Sequence, residues 1–288
     1  MGIALQLVLN SLAVGGLYAL VAIGFNLTYS TTKFFNLAHG AYAAVGGYVL
    51  LFVLRSVGWP VMPAAGVAMV VAGGVGYGLN RLVSQPLVRQ RASSMVLLVA
   101  SLGLFTMLEA ILALLFTSGY QSLVTAAQGE VSFDLGGGVL TLTQVATIAA
   151  AVVAFLGLSA LVRFTTFGKT VQAVGDDSQV ARIVGINTER VVGYVFFIGS
   201  ALAGLAGALV GLDTGLVPTI GMSLLLKGVV AAIVGGIGST TGAFLGAFIL
   251  GAVENLAVWV IPGEWKDAVA FVVLIAFLLW RPRGLVPR

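Results

Sequence analysis

The chain has no cysteine and a single histidine, His39. Disulfide frameworks, thiol nucleophiles, zinc clusters and Cys/His catalysis are excluded together. Charge is scarce as well: Asp, Glu, Lys and Arg make up 8% of the 288 residues, where a soluble domain carries roughly 25%. Neither sign dominates, with 14 Lys plus Arg against 10 Asp plus Glu, and on so apolar a chain a net charge of +4 reports topology; no nucleic-acid partner is expected. The first nine residues lack a basic n-region and run directly into an apolar stretch, so no cleaved leader is expected there. The final Leu285-Val286-Pro287-Arg288 reads equally well as the remnant of a protease-cleavable linker or as native sequence, and is set aside.

Apolar residues and glycine fill the space that charge leaves. Hydrophobic residues make up 59%, glycines number 39, and the mean hydropathy is +1.10. A membrane-spanning helix takes about 20 mostly apolar residues, so about eight of them would use roughly 160 positions and leave the rest for loops. The composition predicts an all-α, polytopic membrane helical bundle forming a single transmembrane domain over residues 1–288.

Seven apolar runs read off directly, at 3–29, 34–54, 62–82, 93–116, 143–162, 191–212 and 267–280. Between the last two, residues 223–260 are apolar at both ends but interrupted by a glycine-rich stretch from Gly235 to Gly242 that no stable helix would choose. This segment is predicted to be a broken, re-entrant helix pair. Ten basic residues (Lys33, Arg81, Arg89, Arg91, Arg163, Lys169, Arg182, Arg190, Arg281 and Arg283) fall on one set of loops and two, Arg55 and Lys266, on the other. By the positive-inside rule the amino terminus lies outside and the carboxyl terminus in the cytoplasm, with the 118–142 loop and its Glu130 and Asp134 outside. That alternation closes only if the pair at 223–260 enters and leaves by the outer face.

Backbone amides freed by a helix break inside a bilayer must be satisfied by protein or water, so such breaks concentrate where they line a cavity. Gly235, Gly236 and Gly238 are therefore candidates for a translocation path, with a tight turn at the inner face as the other reading. Asn36 and His39, three apart, are expected to share a helical face near the inner end of the second span, where they either line that path or fix packing. Gly40 follows them, and the short run Gly40-Ala41-Tyr42 is echoed by Gly242-Ala243-Phe244. By helical rise Lys227 stands about 12 Å and Glu254 about 18 Å from the break, both in the outer half, where they pair, snorkel or meet a substrate's charges. Glu109 is similarly deep with no evident partner. Small residues recur every fourth position at Gly199, Ala203, Gly207 and Gly211 and again at Ala243, Ala247 and Gly251, the spacing that lets helix backbones approach closely in lipid.

The loop at 164–190 is too short and polar to span. Val171, Val174, Ala181 and Val184 fall near one face of a short amphipathic helix that turns Asp176, Asp177, Gln179 and Arg182 away, and Gly185 supplies a stop. Such a helix lies on the membrane, packs on the protein's own base or fits a partner's groove. Phe167-Gly168-Lys169-Thr170 has a superficial likeness to a phosphate-binding loop, but Arg163 stands where that motif's first glycine belongs and no strand precedes it. The chain itself is not expected to bind ATP.

Asn36-Leu37-Ala38-His39-Gly40-Ala41-Tyr42, the run from Ala181 to Gly185-Ile186-Asn187, and Lys227 followed by Gly235-Gly236-Ile237-Gly238-Ser239 together resemble the LivH/LivM-type permease subunits of branched-chain amino-acid family ABC importers, LivH-like members most closely. The similarity runs over essentially the whole chain. It implies a multi-pass permease of the bacterial plasma (inner) membrane carrying branched-chain amino acids or similar small polar solutes, itself not an enzyme and without a cofactor. It further implies a homologous second permease subunit, two ATP-binding subunits holding ATP and Mg, and an extracytoplasmic substrate-binding protein. The loop helix becomes a coupling helix, with Gly168, Ala173, Ala181, Gly185, Ile186 and Asn187 meeting the ATP-binding subunit. Two other readings of the residues are a stand-alone passive channel for a small polar solute and a proton-coupled carrier using Glu109 or Glu254.

Overall fold

The computed structural model of the chain describes residues 2–123, 132–134, 136–281 and 284–286. Helices dominate: α1 (Gly2–Thr32), α2 (Ala38–Phe52), α3 (Val61–Leu79), α4 (Gln85–Arg89), α5 (Ser94–Phe116), α6 (Leu142–Phe164), α7 (Thr166–Asp176), α8 (Ser178–Ile183), α9 (Thr188–Thr214), α10 (Ile220–Gly235), α11 (Thr240–Ala257) and α12 (Lys266–Trp280). Seven helical stretches are long and apolar enough to cross a bilayer, and α10 is a shorter apolar helix. The described part of the 118–142 loop adds a two-stranded antiparallel ribbon, β1 (Ser132–Asp134) on β2 (Val139–Thr141). Glu130 lies outside the described residues.

Helix α1 is apolar all round, as suits a helix surrounded by other helices and lipid. It packs against α6, α9, α10 and α11, while α9 is the second hub, against α1, α2 and α3. Both small-residue stripes are spent on these intrachain contacts. A Cβ at Gly199 would meet Thr28 and the Gly24 carbonyl, one at Gly207 would strike the Ala43 backbone, and one at Gly251 would meet Gly15. Helices α5, α6 and α12 are peripheral and turn Leu114, Val153 and Leu279 outward. Because the Ala43 backbone cannot yield as a side chain would, Gly207→Val is expected to destabilise the bundle by about 3 kcal/mol, the upper end of ordinary overpacking. Gly103→Ala, with nothing within 4 Å and a helical position to favour it, should not lower the thermal midpoint in detergent.

Three elements differ from expectation. Asn36 does not share a helical face with His39, because α2 begins only at Ala38. Lys33 adopts a left-handed φ of 58° that ends α1, and the chain doubles back non-helically through Asn36. The third span does not stop near residue 82 but continues to Arg89 through a π turn at Asn80–Ser84. That wider turn immediately precedes Pro86, whose ring would strike the Leu82 carbonyl in a regular α-helix. The connecting loop is two helices rather than one, since Asp177 leaves helical geometry and its carboxylate accepts from the Gln179 and Val180 N–H groups to start α8.

The helix break within 223–260 forms as read, between α10 and α11. Helix α10 ends at Gly235 and α11 starts after Ser239, with Gly236 and Gly238 at φ 114° and 93°, which side chains rarely adopt. Protein meets the freed backbone groups. Gly238 N–H donates to Asn26 Oδ1 at 2.7 Å, and the Leu285 and Val286 N–H groups donate to the Val234 and Gly235 carbonyls at 3.0 Å. Leu285 and Val286, set aside from the sequence, thus cap the end of α10.

Candidate functional site

Three places bring the sequence-predicted residues together or separate them. In the first, Lys227 of α10 donates to Glu254 Oε1 of α11 at 2.9 Å and reaches Asp267 Oδ1 at the start of α12 at 3.0 Å. Tyr18 of α1 donates its hydroxyl to Glu254 Oε2 at 2.7 Å, and the Lys227 ammonium stands 5.5 Å from the Tyr18 ring centre. Glu254 is only 1% exposed. Glu254 lies three residues before the end of α11 and Asp267 in the first turn of α12, so the cluster sits in the half of the bundle away from the glycine break. The two charges hold α10, α11 and α12 to α1.

In the second place, Asn36, His39 and Gly40 are all buried. Asn36 Oδ1 accepts from the Ala38 N–H at 3.2 Å, starting α2, and Ser101 of α5 accepts from the Leu37 N–H at 3.0 Å. His39 Nε2 lies 3.3 Å from the Val21 carbonyl, between the rings of Phe25 and Tyr42, and glycine at position 24 makes room for it. Gly40 meets the Gly221 backbone at the start of α10, just as Gly242 meets Gly235 at its end. The echoed Gly-Ala-aromatic runs therefore grip the two ends of one helix. His39, the Lys227–Glu254 pair and the glycine break each meet α1, at Val21, Tyr18 and Asn26 respectively.

In the third place, α7 and α8 sit where α1 ends and α9 begins. Gly168 and Ala181 face the bundle: a Cβ at Gly168 would strike the Leu161 and Val162 carbonyls, and Ala181 is 2% exposed. Ala173 and Ile186 are half-buried, and Asn187 Oδ1 accepts from the Arg190 N–H to cap α9. Gly185, at φ 89°, closes α8 with paired bonds from its own N–H to Arg182 O and from Ile186 N–H to Ala181 O. Val184, expected on the same helical face as Val171, Val174 and Ala181, is turned out, because the break at Asp177 rotates α8 relative to α7. Val180, Ile183 and Val184 are 54%, 83% and 69% exposed and form an apolar knob outside the spanning helices.

Beside this loop lies a feature that the sequence did not disclose, a cavity of about 110 Å³ between the end of α1, the π turn and α4, α8 and the start of α9. It shares no residue with the eight path candidates. Arg89 on its rim makes a two-pronged ion pair with Glu189, Gln85 Nε2 donates to the Glu189 carbonyl at 2.9 Å, and Arg182 Nε donates to Thr188 Oγ1 at 3.0 Å. Only Pro86 hinted at it, through the wide turn that places Asn80 and Ser84 in its wall. Among the described residues no cluster of three or more His, Asp or Glu suited to a metal occurs.

A family model described as the permease component of the branched-chain amino acid transport system matches residues 7–278. The chain is 32% identical over 297 residues to the high-affinity branched-chain amino acid transport system permease protein LivH of Escherichia coli, covering 99% of this chain and 96% of that one. It is 30% identical over 296 residues to the corresponding protein BraD of Pseudomonas aeruginosa, with the same coverage. A shorter similarity, 32% over 136 residues and 44% of this chain, joins it to the autoinducer 2 import system permease protein LsrC of Yersinia pseudotuberculosis, of which it covers 39%.

Proposed function

The chain belongs to the permease family of branched-chain amino acid transport systems, and on that premise we propose that it carries such amino acids, or small polar solutes like them, inward under the drive of separate ATP-binding subunits. It is a multi-pass membrane protein and a transport subunit rather than an enzyme. In this reading the basic end of the bundle, with Lys33, Lys169 and Arg190, is cytoplasmic and the amino terminus faces out. A homologous second permease subunit completes the conduit, and an extracytoplasmic binding protein delivers the solute.

The observation that carries the drive is the knob of Val180, Ile183 and Val184. Apolar side chains this exposed on a polar loop outside the spanning helices are unfavourable in water and suit a contact with a partner protein. The knob is also rigidly seated, by the Asp177 cap at one end and by Gly185 and the Arg182–Thr188 hydrogen bond at the other. A push delivered to it passes directly into α9 and, through α7, into α6, as rigid-body movement.

Radiolabelled leucine uptake into liposomes separates this from a passive channel. Uptake is expected only when the permeases are reconstituted with their ATP-binding subunits, binding protein and ATP, and no flux is expected from this chain alone. ATP-independent flux through the chain alone would overturn the reading.

A further inference from the structure

We propose that the cavity beside the connecting loop is a binding site for a small aliphatic carboxylate, the zwitterion of an aliphatic amino acid included. Its wall holds an unsatisfied donor: Asn80 is 1% exposed, and its Nδ2 has no hydrogen-bond partner. A buried amide N–H2 left unpaired is unfavourable, and natural structures leave few of them without a purpose. Asn80 also opens the π turn, a distortion that recurs at functional sites because it displaces side chains from the regular helical register.

The remaining chemistry of the wall selects the ligand. Besides the Asn80 amide it presents the guanidinium groups of Arg89 and Arg182, all donors, while the one carboxylate, Glu189, is already held by Arg89. Thr31, Thr32, Ser84, Gln85, Ser178 and Thr188 add groups that accept as well as donate, but Arg89 and Arg182 against Glu189 leave the wall net positive, and a carboxylate is the small group that accepts from an amide and a guanidinium together. The rest of the wall includes Phe34, Val88, Val174 and Val192, against which an aliphatic chain would lie. Glu189, beside them, suits an ammonium group. An occupant would touch α4, α8 and α9 at once, the elements that carry the knob and its connection to the bundle. The inference concerns binding alone and stands whether or not ATP drives transport; only the choice of leucine as probe rests on the function proposed above.

The test is titration calorimetry on the full chain in lipid nanodiscs with leucine, isovalerate (carboxylate without ammonium), leucinol (ammonium without carboxylate) and inorganic phosphate. Leucine and isovalerate are expected to bind the wild-type chain and leucinol at least tenfold more weakly. Asn80→Asp, which keeps shape but replaces the donor with a carboxylate facing the ligand's, is expected to weaken isovalerate binding at least tenfold. Arg182→Gln repeats the measurement at a second contact, so that the proposal remains testable should Asn80→Asp fail to fold. Equal binding of leucinol, a preference for phosphate over isovalerate, isovalerate binding unchanged in both variants, or no binding at all would each overturn it.

Discussion

Replacing Ile183 and Val184 together with aspartate is expected to lower ATP-driven uptake roughly 100-fold, with the chain still folded in the membrane. The magnitude follows from what such a knob does when it fills a partner's groove. Buried apolar anchors at protein interfaces contribute about 2 kcal/mol or more each, and a loss near 2.7 kcal/mol is already about 100-fold in affinity. Two carboxylates placed in an apolar groove add a desolvation penalty on top. The fold is spared because both side chains are exposed and make no core contact, at 83% and 69%. Ala181→Asp is the instructive contrast: at 2% exposure it points into the bundle, so the same chemical change should disrupt the loop's seating and lower the thermal midpoint. Pull-down of the ATP-binding subunits, uptake and thermal midpoint, measured on the same preparations, separate the two. Undiminished assembly and uptake in the Ile183/Val184 variant would sink the docking assignment.

Why the loop was half legible in the sequence follows from the same residues. Apolar periodicity found its helical character, and Gly185 gave its end, because both are local. Periodicity does not say whether an apolar face meets the protein's own bundle or a partner, so Ala181, which the family resemblance offered to the ATP-binding subunit, turns out to face inward while Val184 faces outward. The signal for the break was present in Asp177-Ser178, an N-cap residue opening a new turn, but it sat inside a pattern that continues on either side.

Elsewhere the division is similar. The glycine-rich stretch at 235–242 announced a broken helix because no run of that composition sustains one, and the small-residue stripes of α9 and α11 announced close backbone contacts. What satisfied the break, Asn26 with Leu285 and Val286, was not legible, since those partners are distant in sequence. The cavity was invisible for the same reason: its walls come from α1, α4, α8 and α9, and Asn80 looks like any polar residue near a helix end until its orphaned amide is located.

Glu254→Ala is expected to cost about 3–5 kcal/mol of stability, the usual consequence of removing one partner from a buried ion pair. The Lys227 ammonium would keep only Asp267, whose side chain is 68% exposed, and the buried Tyr18 hydroxyl would lose its acceptor. Lys227→Ala should be as damaging, since it strands a carboxylate that is 1% exposed. Asp267→Asn, in contrast, removes a charge that water already screens and should cost about 0–1 kcal/mol. The double variant Lys227→Met/Glu254→Gln discriminates further: with no stranded charge, and an amide oxygen still able to accept from Tyr18, it should recover much of what Glu254→Ala loses. Thermal midpoints in detergent, compared at one protein concentration, read all four. Recovery in the double variant would mean that the pair fixes how α10 and α11 lie against α1, rather than adding net stability to the bundle. A Glu254→Ala midpoint no lower than that of Asp267→Asn would show instead that lipid or water reaches the cluster and that the two charges never needed each other.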